Sequence, residues 1–400
     1  MSGITVLPGV YYNEKVDNIN YGGNGEIPCF IGRTNNKGTD TAPVDGTRIT
    51  EYSLYSDVSK SVAEGGIGAT GKEETDLKTN PLLQVLKDFF AETEPLNYND
   101  LSVEHIYVID VGDGSSLDAW KNAFETAKKY RDINIEVYYG LESLKTSMQK
   151  GIDEAMLSIQ RECKKLDLRR AFFTVETDTG GKTTTDTYLI SLAGANTSYN
   201  RLVLCEPANF GKIIGRFCVT PLGEEAGYYT FNTVAKGVFT ARTPKERLAL
   251  QNAGVTFCSD EYTSSTFYPK INLGVCTCFG NQTGDRPADS LDSSRRIADY
   301  MLRQVFDVCY SQIKARETRT QLTILQTQIN TIVENMISDG YVVAYNEESN
   351  PIGTQLSVSE SDSNPYAMIV SGTIQPVNCT IAIDIEAEIT QPAMQSTQEA

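Results

Sequence analysis

The middle of the chain alternates short apolar runs with amphipathic stretches of helical period. Four apolar runs are predicted strands: residues 105–111, 133–139, 171–175 and 202–205. Three stretches between them are predicted helices: residues 119–130, 143–166 and 185–193. Ser116 or Asp118 can serve as the N-cap of the first helix. Because strands and helices alternate at this spacing, we expect an α/β domain over residues 104–280, with a mostly parallel, helix-covered sheet.

The last third of the chain has a different pattern, in which two long helices precede strands. Apolar residues at helical spacing predict two helices: residues 293–314 and 322–336. Two apolar runs after them are predicted strands: residues 341–345 and 367–374. We therefore expect a second, α+β domain over residues 281–379.

Both ends of the sequence are predicted to be extended arms, over residues 1–20 and 380–400. The first arm carries loosely alternating apolar residues: Ile4, Val6, Val10 and Tyr12. The second alternates strictly, with these residues on one face: Ile381, Ile383, Ile385 and Ile389. Such strands either close sheets of their own chain or complete the sheet of a neighbour. Pairing with neighbours is head-to-tail, and it propagates into rings or helical filaments.

Residues 21–103 are rich in Gly, Thr, Asn and Asp and contain few long apolar runs. This composition predicts a loop-rich region that packs on the α/β domain. Short strands such as residues 27–32 are expected within it.

The charge, hydropathy and cysteine content of the chain argue against several classes of function. The 400 residues include 35 basic and 52 acidic side chains, so the net charge of −17 argues against nucleic-acid binding. No apolar run approaches the 18 residues of a membrane-spanning helix, so no membrane partner is expected. Nine cysteines in apolar surroundings, without a signal peptide, indicate reduced thiols and folding in a cytoplasm.

The predicted helix that begins near residue 293 is locally basic in an acidic chain. Residues 295–319 hold six basic and three acidic side chains, whereas no Lys or Arg follows Arg319. Arg295, Arg296 and Arg303 therefore either belong to an ordinary solvated face with ion pairs or form a docking surface for an acidic partner.

No motif for catalysis or metal binding has the surrounding sequence that its chemistry requires. The glycine motif at 66–71 lacks the strand and helix that dinucleotide binding requires. The turn Gly181-Lys182-Thr183 resembles a phosphate loop, but Glu176 stands where that motif needs glycine. Cys276 and Cys278 have no second cysteine pair, and the only histidine, His105, begins a strand. We expect no enzyme, cofactor or metal; a nucleotide-binding α/β enzyme using the 181–183 turn is the alternative.

Five segments, in the right order, resemble the contractile-tail sheath proteins of phages and related injection systems. The segments are LPGVYYNE at 7–14, AGYYT at 226–230 with KGVFTART at 236–243, LQNAGV at 250–255, DSSRRIADYM at 292–301 and GYVVAYN at 340–346. The family's usual W-G-x-R-T is replaced by FGNQT at 279–283, which lacks the arginine.

The resemblance implies a structural subunit that forms stacked hexameric rings around a tail tube. It implies that residues 281–379 are a sheath domain and that the two arms pair with neighbouring copies. The tail tube, baseplate and tail terminator proteins would be further partners in a virion tail or injection particle assembled in the host cytoplasm. Arg295, Arg296 and Arg303 would be candidates to face the tube. A third reading is an adaptor whose terminal strands close its own sheets.

Overall fold

The structure is a computed structural model. It describes these residues: 25–34, 44–64, 66, 80–96, 100–163, 167–176, 182–196, 199, 201–224, 226, 231, 242–263, 266–271, 292–311, 319–360 and 368–377. Both predicted arms, with Ile4, Val6, Val10, Tyr12, Ile381, Ile383, Ile385 and Ile389, lie outside these residues. The strict alternation over 380–390 and the pairing of the arms with neighbours therefore stay predictions.

A seven-stranded sheet forms the centre of the larger unit. Its strands are β1 (Pro28–Gly32), β2 (Ile49–Tyr52), β3 (Ile106–Asp110), β4 (Ile135–Tyr139), β5 (Arg170–Phe173), β6 (Leu202–Cys205) and β7 (Val255–Thr256). Their order is β2-β3-β1-β4-β5-β6-β7, and only β2, at one edge, runs antiparallel to its neighbour. Successive side chains bury on opposite faces, as Cys29 and Phe30 do, which explains why the strands read as continuous apolar runs.

Helices cover both faces of this sheet. One face is covered by α3 (Leu117–Ala127), a 3-10 helix (Leu141–Ser147), α4 (Met148–Cys163), α5 (Lys182–Ala195) and α7 (Pro244–Asn252). The other is covered by α1 (Tyr55–Ala63), α2 (Pro81–Thr93) and α6 (Phe210–Val219). Local chemistry fixes several helix starts: Ser116 Oγ accepts from Ala119 N at 3.3 Å, and Asn80 Oδ1 accepts from Leu83 N at 3.2 Å.

The C-terminal unit has its own apolar core. Two helices, α8 (Asp292–Ser311) and α9 (Arg319–Ser338), pack on the antiparallel hairpin of β10 (Gln355–Glu360) and β11 (Met368–Thr373). Ile297 and Met301 of α8 meet Ile329 of α9 and Leu356 of β10 in this core. Gly340, with φ of 76°, follows α9 in the left-handed conformation that commonly ends helices. A separate hairpin is formed by β8 (Cys258–Thr263) and β9 (Thr266–Ile271).

With one exception, the predicted elements of the middle and last thirds are confirmed, with ends shifted by a few residues. The strand expected at residues 27–32 is confirmed as β1, but the loop-rich expectation for residues 21–103 is wrong in part, because β1 lies inside the main sheet and α1 and α2 form a covering layer. The mixed sheet therefore includes residues on both sides of the expected boundary at 104. The predicted strand at 341–345 is also wrong: this stretch makes only isolated bridges, Val342 with Pro376 and Ala344 with Thr354.

Two glycines allow α6 to approach α2 closely. A Cβ added at Gly211 would lie 2.1 Å from the Val85 carbonyl oxygen, and one at Gly215 would lie 3.1 Å from that of Phe89. Backbone cannot yield as a flexible side chain does, so the spacing of these two helices depends on the missing methyl groups.

We expect Gly211→Ala to lower the free energy of unfolding by about 1–3 kcal/mol, because the new methyl group overpacks the contact between α2 and α6. Gly194→Ala is the matched control, since nothing lies within 4 Å of a Cβ at this exposed position of α5. The control should gain about 0.5–1 kcal/mol from helix propensity. Urea unfolding measures both, and equal effects of the two substitutions would contradict the close approach.

Candidate assembly surface

Buried ion pairs attach α8 to the amino ends of the parallel strands. Arg170, at the start of β5, forms ion pairs with Glu26, just before β1, and with Asp292, the first residue of α8. All three side chains are at most 4% exposed. Because buried charges are tolerated only when paired, this triad fixes where α8 begins on the sheet.

A second pair lies two helical turns further along α8. Arg201, immediately before β6, contacts both carboxylate oxygens of Asp299 at 2.6 and 2.7 Å. Such fork-to-fork contacts restrain orientation as well as distance. The Arg170 and Arg201 pairs together set both the position and the direction of α8 across the sheet edge.

The arginines expected to face a tube lie on this same helix. Arg296 is 3% exposed, and its guanidinium donates to the carbonyl oxygens of Thr220 at 2.7 Å and Pro221 at 3.3 Å. Arg303 donates to Leu168 O at 2.6 Å, and Arg295 is half-buried. Arg296 and Arg303 thus have partners within their own chain. Tube binding by the three stays a prediction, and Arg296 is a poor probe of it because its replacement removes an internal contact.

The β10–β11 hairpin has one apolar and one polar face. Leu356, Val358, Met368 and Val370 pack against the C-terminal core. The outward positions are mostly small and polar: Gln355, Ser357, Ser359, Ile369, Ser371 and Thr373. A two-stranded sheet presents two outer edges, and the described residues add no further strand to either one.

Gln326 of α9 occupies the outer edge of β10. Its side-chain amide accepts a hydrogen bond from Val358 N at 2.8 Å and donates one to Leu356 O at 3.0 Å. These are the two backbone groups that a further strand would use, because residues i and i+2 of a strand present their polar groups to the same edge. The outer edge of β11, which includes the backbone of Val370 opposite Val358, has no such partner among the described residues.

The nucleotide-binding alternative can be compared with the sheet's carboxyl edge. Ligands of open parallel sheets bind where the chain leaves neighbouring strands in opposite directions, which here is between β1 and β4. Arg33, Glu142 and Glu176 fill this position, with Arg33 Nε 2.7 Å from Glu176 Oε1. Two carboxyl groups against one guanidinium do not favour a phosphate. The side chains of Lys182 and Thr183, and Gly181 itself, lie outside what the structure describes.

The remaining candidates for chemistry are His105, the cysteines and a possible metal site. His105 Nε2 lies 3.0 Å from Asp132 Oδ2, and this hydrogen bond raises the pKa of His105. Burial raises the pKa of the thiols at Cys29, Cys205, Cys218 and Cys258, and the described cysteines form no disulfide. Among the described residues no cluster of His, Cys, Asp or Glu is arranged for a metal, and Cys276 and Cys278 fall outside them. Within the same residues no helix is long and apolar enough to cross a membrane.

Sequence reasoning missed Gln326 and the carboxylates Asp292 and Asp299. A polar residue within an apolar helical stripe is a signal for a side chain that bonds to a neighbouring element, and Gln326 follows the buried Leu325. The spacing of Asp292, Arg296 and Asp299 places them on one face of a helix. That face is recognisable from sequence, but the sheet that it meets is not.

Solved sheath structures share this fold. The helical sheath of the anti-feeding prophage in its contracted state has a TM-score of 0.60 and 11% identity, with 97% of this chain and 100% of that chain covered. A chain in the baseplate of the same prophage has a TM-score of 0.63, 11% identity and the same coverage. The sheath tail protein of Desulfitobacterium hafniense has a TM-score of 0.54 and 10% identity, covering 92% and 97%.

These comparisons define the class of fold: the chain has the mixed α/β fold of contractile sheath proteins, over nearly its whole length. The expected fold class and the resemblance to tail sheath proteins are thereby confirmed at the level of the fold. No family model matches the chain, and no curated protein matches its sequence.

We expect Asp299→Asn to lower the free energy of unfolding by roughly 3–5 kcal/mol, because it removes the countercharge of the buried Arg201 guanidinium. Glu154→Gln is the control: it removes an exposed ion pair with Lys121, with side chains 32% and 39% exposed, and should cost less than about 1 kcal/mol. Urea unfolding of both variants checks the difference. Similar losses would mean that the α8 ion pair is no more important than a surface pair.

Proposed function

We propose that this chain is a structural subunit of a contractile tail sheath, which polymerises as stacked hexameric rings around a tail tube and contracts to drive the tube through a target cell envelope. The observation that carries the proposal is the fold match to sheath proteins, which spans 92–97% of this chain and 97–100% of theirs. Its partners would be further copies of itself, the tail tube, and baseplate and tail terminator proteins, in a virion tail or injection particle assembled in the host cytoplasm.

Strand addition is the proposed means by which copies bind one another. The arms at residues 1–20 and 380–400 supply strands, and the hairpin of β10 and β11 receives one. Because Gln326 already bonds the outer backbone groups of β10, the edge of β11 is the better acceptor. The proposed function includes no catalysis. The carboxyl groups of Glu142 and Glu176 between β1 and β4 do not favour a phosphate, which supports a sheath subunit over the nucleotide-binding alternative.

Electron microscopy of the purified chain, in negative stain, tests the proposal. We expect hollow cylinders of uniform width, and we expect a chain lacking residues 380–400 to stay folded without forming them. Small particles at every salt and protein concentration, with an added tail tube or without, would contradict a polymerising sheath. Unfolding on removal of residues 380–400 would instead support an adaptor whose terminal strand closes its own sheet.

Two proline variants at paired positions test which edge receives the strand. Val370→Pro removes an outward N–H of β11, so we expect a folded subunit that does not polymerise. Val358→Pro, directly opposite on β10, removes the N–H bonded to Gln326, and it loses the same kind of inward valine packing as Val370→Pro. It should therefore be destabilised at least as much as Val370→Pro and still form cylinders. Circular dichroism during heating confirms folding, and cylinders formed by Val370→Pro would rule out the β11 edge.

A further inference from the structure

The crevice at the carboxyl ends of β1 and β4 is filled by side chains of the protein itself. Arg33 follows β1, Glu142 follows β4 by three residues, and Glu176 follows β5 by three. Arg33 binds both carboxylate oxygens of Glu176, and the two side chains are 23% and 30% exposed. The ion pair thus lies at the carboxyl ends of these strands, and Glu142 contacts the backbone of Glu176 beside it.

The two carboxyl oxygens of Glu142 have different surroundings. The backbone N–H of Glu176 donates to Glu142 Oε1. Glu142 Oε2 is excluded from solvent, and no described residue forms a hydrogen bond with it. A buried carboxylate oxygen without a donor strongly disfavours the ionised form, whereas a protonated carboxyl group tolerates this setting better.

Strained backbone carries Glu142. The chain leaves β4 through Gly140, at φ of 88°, and continues as the 3-10 helix of residues 141–147. Within that helix Lys145 has φ of 51° and ψ of −115°, a combination that a residue with a side chain rarely adopts. The buried side chains of Leu141 and Leu144 face Gly151 of α4 and hold the segment down. The segment therefore depends on packing to stay in a conformation that its own backbone disfavours.

The charges around Glu142 come from four elements. Burial raises its pKa to about 8, and the nearby Glu176 carboxylate adds to this effect. Arg33 opposes it but is engaged with Glu176. Tyr139 of β4 and Tyr188 of α5 face the same carboxyl group, and their own pKa values are raised. The Asp88 carboxylate of α2 adds to the rise in the pKa of Tyr139.

We propose that residues 140–147 are a proton-controlled latch, which the protonated Glu142 side chain keeps closed over the crevice and which opens when Glu142 ionises. Opening would carry the new charge into water, release the Lys145 backbone from its strained conformation and leave Arg33 and Glu176 paired. The proposal does not depend on sheath function, because it concerns a single folded chain.

The direction of the pH dependence follows from the two states of Glu142. In an open segment its pKa returns to the ordinary value near 4.5, whereas in the closed segment it is about 8. Between these values the closed state holds a proton that the open state lacks, so rising pH favours opening. Above pH 8 both states are ionised, and the effect reaches its limit.

Tryptic cleavage after Lys145, an exposed residue inside the latch, reports opening. Rates are measured on the full chain by mass spectrometry at pH 6 and pH 9 and normalised to a peptide substrate. We expect the wild-type rate to rise on the order of tenfold or more between these pH values. Glu142→Gln, which stays neutral, should show little rise, and Glu125→Gln, at an exposed carboxylate of α3, should behave as wild type.

Equal pH dependence of the wild type and Glu142→Gln would overturn the latch. The wild-type chain alone supplies a second test that does not require the variant to fold. Cleavage after Lys129, exposed just beyond α3, should follow the peptide substrate while cleavage after Lys145 rises with pH. A Lys145 rate that runs parallel to the Lys129 rate would equally overturn the proposal.

Discussion

The contact between α8 and the amino edge of the parallel sheet is the constraint on which the rest of the molecule depends. Arg170 and Arg201 lie at the starts of adjacent strands, and each forms an ion pair with an aspartate of α8. The C-terminal core is built on the opposite side of that helix, from Ile297 and Met301. One helix therefore belongs to two units, and its buried charges fix the position of the hairpin relative to the sheet. Force applied to the hairpin would be transmitted through these contacts to the sheet, because an unpaired buried charge is costly.

The two ends of the sheet have different roles. At the amino ends, buried ion pairs join units of the chain and leave little freedom. At the carboxyl ends, where many α/β proteins bind a ligand, Arg33 and Glu142 both contact Glu176. The fold thus keeps the architecture of a ligand-binding sheet while its own side chains occupy the ligand's position. In the proposed sheath subunit, the β11 edge would supply a defined edge for assembly and the α8 contact a rigid connection.

Sequence reasoning succeeded where one element's pattern was sufficient. The strands at β3 to β6 and the helices α8 and α9 were recognised because apolar runs and helical stripes report burial directly. It failed where a neighbour decided the outcome. The short strand β1 was expected at residues 27–32, but its place inside the sheet was not, because β3 and β4 pair on both sides of it. Arg296 was predicted to be a surface charge, but its side chain is buried and donates hydrogen bonds to the carbonyl oxygens of Thr220 and Pro221.

The sequence by itself determined the alternation of strands and helices, the two C-terminal helices and the resemblance to sheath proteins. Periodicity determines the helices and strands because each residue reports the side on which it is buried, whereas the resemblance rests on five short segments in the right order. The tertiary structure alone decided which edge of the hairpin Gln326 covers and which arginines are buried. Gln326 and Leu356 are 30 residues apart, and Arg201 and Asp299 are 98 apart. Contacts at such separations depend on how elements are arranged in space, and no local pattern in the sequence encodes that arrangement.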